Sequence, residues 1–144
     1  MVLATISFFA LAVFGLGALS VATDTDIIST PDLGQVPGVV GMLAAVVAFA
    51  VLLGVTLRTR RPSFVSTITI ALVTVLAHLV VVWFAVLLGT SDVVIATAVA
   101  GDLVRGGVSA VLLVAALIAA WGGVALRRTR AEHPRWPWER DEDE

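Results

Sequence analysis

Four runs of about twenty residues, at 2–22, 37–57, 66–88 and 106–126, pass without a single Asp, Glu, Lys or Arg. A helix rises 1.5 Å per residue, so each run reaches roughly 30 Å, the thickness of a hydrocarbon core. The runs are too long for tilted membrane strands and lack the alternation of an outer-membrane barrel. Little of the 144-residue chain is left for a soluble domain once four spans are subtracted. Composition agrees, with 59% hydrophobic and 14% charged residues, against roughly 45–50% and about 25% in soluble domains. The expected fold is an all-α membrane protein, an antiparallel four-helix transmembrane bundle over residues 1–130. A short tail over residues 131–144 follows it, carrying Trp and Pro and then four acids.

The placement of charge sets the orientation. Arg58, Arg60 and Arg61 lie between the second and third spans, and Arg127, Arg128 and Arg130 follow the fourth. The other side holds only Arg105, together with Asp24, Asp26, Asp32, Asp92 and Asp102. Basic residues near span ends stay in the cytoplasm, so both termini are expected inside, in a bacterial inner (plasma) membrane. The first span competes with a cleaved signal peptide, since Ser20-Val21-Ala22 resembles a small-x-small cleavage site. Residues 1–7 carry no Lys or Arg, and the apolar run exceeds a typical signal core. A retained helix is the expectation.

Two features complicate the plain four-span layout. Residues 93–100 are apolar but too short to span, with Asp92 before them and Asp102 after. A short helix at the outer interface and an early extension of the fourth helix both fit. The second and fourth spans also end alike, on Gly54-Val55-Thr56-Leu57-Arg58 and Gly123-Val124-Ala125-Leu126-Arg127. Sliding the chain by 69 residues aligns nine identities over 37–61. Two similar helical hairpins, as in transporter repeats, would produce this. So would two unrelated helices with the same membrane-end pattern.

His78 is the sharpest candidate for chemistry. It stands near the middle of the third span, where an ionisable group is costly and marks a functional site by default. A neutral imidazole has one donor and one acceptor to satisfy; Thr74, one turn earlier, or a hydroxyl from another helix are candidate partners. The bland role is an interhelical hydrogen bond that fixes packing, and the sharper one is handling a proton. The only other histidine, His133, lies in the tail, so no haem or metal ligand set is expected and no cofactor is implied. Asp102 and Arg105, three apart, share a face if helical, and an outer ion pair capping the fourth helix is expected there.

Small residues recur at four-residue spacing at Ala115, Ala119 and Gly123, at Gly41 and Ala45, and near Gly15 and Gly17. Such rows mark close helix–helix contacts, within the chain or with another protein. Trp136 and Trp138 alternate with prolines and neighbour Arg135 and Arg140, which suits an interfacial anchor on anionic lipid. The basic residues are accounted for by topology, so no nucleic-acid partner is expected.

All nine basic residues are Arg, none Lys, and Val, Ala, Leu and Gly dominate. In this bias and in its layout the chain resembles small four-span membrane proteins of high-GC actinobacteria. It resembles the small multidrug transporters only in span count, because residues 2–22 lack their embedded Glu. The expected function is non-enzymatic, a subunit that packs on a membrane partner or on itself within the lipid bilayer. A small transporter or channel subunit using His78 is the rival expectation.

Overall fold

The computed structural model describes residues 1–23, 35–58 and 64–131, with side chains to residue 129. Five helices follow in order among them: α1 (Val2–Thr23), α2 (Val36–Arg58), α3 (Val65–Thr90), α4 (Val93–Arg105) and α5 (Val108–Ala131). The fold is an all-α bundle in which α1, α2, α3 and α5 are each long and apolar enough to cross a membrane. Arg60, Arg61, Trp136 and Trp138 lie outside the described residues, as does the side chain of Arg130.

The packing is inside out relative to a soluble protein. Fully buried positions include Ala12, Ala45, Ala71, Ala116 and Ala120, while Phe14, Val21 and Leu88 are 77%, 85% and 81% exposed. Hydrocarbon is as apolar as leucine, so nothing drives large apolar side chains inward. Helices associate instead where small residues let backbones approach and van der Waals contacts multiply. Gly41 shows this between α2 and α3: a Cβ there would lie 2.4 Å from Val82 Cγ2. Gly15 does the same between α1 and α5, where a Cβ would lie 2.5 Å from Val111 Cγ1. Larger groups enter the interior as well: Leu53 and Leu112 are wholly buried, and Phe8 of α1 stacks on Phe49 of α2 with centroids 4.6 Å apart.

Packing is most extensive between α2 and α3, then between α1 and α5 and between α3 and α5; α1 and α2 touch more sparingly. The neighbours run antiparallel. Residues 1–4 meet Gly54 of α2 and Gly123 of α5, while Leu19 near the end of α1 meets Gly107 before α5. Phe64 at the start of α3 faces Trp121 of α5 and lies under the Arg128 guanidinium, 4.5 Å from the ring centroid. Arg58, Arg127 and Arg128 therefore gather at one end of the bundle, and Asp92, Asp102 and Arg105 at the other.

Of the two conformations open for residues 89–105, the structure takes the separate helix. Ser91 adopts the left-handed conformation (φ 56°), and its N–H donates to the Leu87 carbonyl, closing α3. Asp92 then starts α4: its carboxylate accepts from the Val94 N–H at 2.7 Å and the Ile95 N–H at 3.2 Å. These are two of the donors a helix start leaves unsatisfied. The helix stops at Gly106, and Gly107 at φ +88° turns the chain into α5. A positive φ there suits glycine, which has no Cβ to clash. α4 is held against α3, where the Trp83 indole N–H donates to Thr97 Oγ1 at 3.2 Å.

This corrects the expectation for Asp102. It sits in the last turn of α4 and does not cap the fourth span; its backbone carbonyl accepts from the Gly106 N–H at 2.7 Å. Its side chain and that of Arg105 line one groove on α4. The carboxylate cap that the structure does show is that of Asp92, ten residues upstream, and it opens α4.

Candidate functional site

The buried face of α3 is one stripe at helical spacing: Thr67, Ile70, Ala71, Thr74, His78, Val82 and Val86. Three of its seven members are polar. Thr67 Oγ1 donates to the Phe64 carbonyl at 2.6 Å, which settles the first within its own helix turn. Thr74 and His78 are different. Thr74 is wholly buried and His78 is 3% exposed, yet Thr74 Oγ1 and His78 Nδ1 have no hydrogen-bond partner. The Thr74–His78 bond that the spacing suggests is not made.

Gly41 of α2 is what seats the ring. A Cβ at that position would lie 3.0 Å from His78 Cε1 and 3.1 Å from Nδ1. The Gly41 backbone is accordingly the polar group that faces the imidazole, without reaching hydrogen-bond geometry at Nδ1. A glycine in the second span thus decides how the histidine of the third is held. Its place in a small-residue row was visible in the sequence; its contact with His78 was not.

A buried imidazole nitrogen and a hydroxyl one turn away, both unengaged, can hydrogen-bond a polar group or water and can hold a proton. Stable metal coordination needs more ligands, and the described residues contain no group of three His, Cys, Asp or Glu. His133 lies outside them. A third unpartnered buried polar atom, Ser109 Oγ, stands at the start of α5, at the end of the bundle where Asp92 and Asp102 also lie. Nothing in the sequence distinguished it from other serines.

Of the arginines to which the sequence assigns the topology, Arg58, Arg127 and Arg128 have described side chains; they lie at one end of the bundle. Arg58 and Arg127 line a groove of about 800 Å³ whose floor is the start of α1. Arg128 instead turns toward Phe64.

Four membrane-length apolar helices with many large apolar side chains on their outward faces define a multi-pass α-helical membrane protein, those faces suited to lipid. The chain belongs to DUF6121, a family of unknown function whose model matches residues 1–144. No curated protein and no solved structure matches it.

Proposed function

We propose that the protein is a non-enzymatic subunit or self-associating scaffold of a bacterial plasma membrane, with both termini cytoplasmic. It acts by packing against another transmembrane helix. The supporting observation is a pair of unfilled notches on the outward faces of α1 and α5. A Cβ at Gly17 or Gly122 would meet nothing within 4 Å, whereas Gly15 and Gly123 on the same two helices are filled by neighbours within the bundle. Outward glycines on spans let a further helix approach closely. Purification in a mild detergent, with identification of co-purifying proteins and measurement of mass, tests this. A stable partner or an oligomer is expected, weakened in Gly17→Leu or Gly122→Leu. A monomer that retains no partner overturns the proposal.

The rival, a small transporter or channel subunit, draws on one specific observation: His78 Nδ1 and Thr74 Oγ1 are buried and unpartnered at mid-depth. Unengaged polar groups inside a bundle line substrate or proton paths in membrane proteins. The two readings part at His78, and the variants that separate them are argued below at the residue scale.

A further inference from the structure

The repeated ending of the second and fourth spans has a spatial counterpart. Gly54, Leu57 and Arg58 of α2 and Gly123, Leu126 and Arg127 of α5 are equivalent positions of the two strings, and all six line the groove at the Arg-bearing end. Positions three and four apart share one helix face, so each string presents glycine, leucine and arginine together. The third wall is residues 1–4 at the start of α1. Each glycine fixes how close that wall comes. A Cβ at Gly54 would lie 3.0 Å from Met1 Sδ, and one at Gly123 would lie 3.2 Å from Ala4 Cβ.

The side chains that line the groove are apolar except for the two arginines. It contains no acidic side chain among the described residues, and the end of the bundle where it opens is the edge of the bilayer. We propose that this groove binds an anionic phospholipid, its phosphate held by Arg58 and Arg127 and an acyl chain lying against Leu57, Leu126 and residues 1–4. Guanidinium groups present planar forks of donors that match phosphate oxygens, and basic pockets between spans recognise such headgroups. Leucine and alanine walls have nothing to offer a free phosphate ion and suit a hydrocarbon chain. The two arginines thus serve as ligand contacts in addition to setting orientation. The inference is independent of whether the protein works as a packing subunit or as a transporter.

The test is a titration of the purified full chain in neutral detergent with phosphatidylglycerol, phosphatidylcholine or inorganic phosphate, read by native mass spectrometry and by thermal unfolding. Phosphatidylglycerol should be retained and should raise the unfolding temperature, while phosphatidylcholine and phosphate should do neither. Arg58→Gln and Arg127→Gln should each weaken retention about fivefold, the scale of one basic residue on an anionic lipid surface. The double variant should lose it, and Arg105→Gln, at the opposite end, should bind like the parent. If the double variant unfolds early, Arg58→Lys with Arg127→Lys keeps both charges and should preserve most binding. Equal retention by the parent and the double Gln variant overturns the proposal. So does protection by inorganic phosphate equal to that by the lipid, which would make the groove a free-anion site. Lipid binding that emerges only after deletion of residues 141–144 would assign the groove to the chain's own acidic end, and would equally overturn it.

Discussion

At His78 the cost of burial is set by one nitrogen. Membrane hydrogen bonds contribute about 0.6 to 2 kcal/mol, and a packing histidine that made one would lose that much on His78→Leu while His78→Gln stayed mild. With Nδ1 unpartnered that nitrogen has no such bond to lose, and removing an unsatisfied polar group is close to neutral or stabilising. His78→Leu is therefore expected to unfold in detergent within about 0.5 kcal/mol of the parent or above it. A loss of more than about 1 kcal/mol would mean that the ring has a partner in the bilayer. If both His78→Gln and His78→Leu keep their stability but abolish a cellular phenotype, the transporter reading displaces the packing one, since neither side chain titrates near neutral pH. Gly41 offers the complementary residue-scale test. Its Cβ would sit 2.4 Å from Val82 Cγ2, so Gly41→Ala should cost about 1–3 kcal/mol by overpacking. Val82→Ala in the same chain should recover much of it, and a double-mutant cycle in thermal unfolding measures the coupling.

At the scale of elements, the informative one is α4. A thirteen-residue helix is marginal alone, and this one is defined by its ends: Asp92 caps the first turn, while Gly106 and Gly107 break the last. Asp92→Ala should cost about 0.5–2 kcal/mol of local helix stability. The readout is hydrogen exchange at the Val94 and Ile95 amides, which should accelerate while amides in the middle of α3 stay protected. Uniform acceleration across α3 and α5 would show that α4 is integral to the bundle and does not open by itself. Gly107→Ala, forcing a Cβ into φ +88°, should cost about 1–2 kcal/mol and appear at the α4–α5 junction. In the sequence Asp92 stands directly before an apolar run, but no cap was expected of it. Whether that run was its own helix or the beginning of the fourth span depended on the Gly106–Gly107 turn, and a glycine pair inside an apolar stretch is compatible with both.

For the whole molecule the governing asymmetry is charge. Arg58, Arg127 and Arg128 share one end, and Asp92, Asp102 and Arg105 the other, a segregation produced by the antiparallel pairing of neighbouring helices. Dual-reporter fusions after Leu33 and after Ala131 should give an external signal at the first and a cytoplasmic one at the second. The reverse pattern would turn the protein over, and matching signals at both would change the number of spans. The two halves related by the 69-residue offset do not pair alike: α3 packs extensively on α5, whereas α1 touches α2 sparingly. Their likeness is concentrated at the Arg-bearing end, where both copies face the start of α1.

The sequence by itself determined the class, the number of long helices and the segregation of charge. Each follows from a one-dimensional quantity: the length of a charge-free run against the thickness of hydrocarbon, or the sign of the residues at its ends. Which helices touch was left open, because in a bilayer every span is apolar all round and no hydrophobic face points the way inward. Only close approach at small residues picks the partners, and alanine and glycine are too frequent here for their rows to be told apart in advance. Tertiary packing therefore decided that Gly41 would seat His78, that Thr74 would leave its Nδ1 unbonded, and that Asp92 would open a separate helix ahead of the fourth span. It also decided that Arg58 and Arg127, 69 residues apart in the chain, would line a single groove.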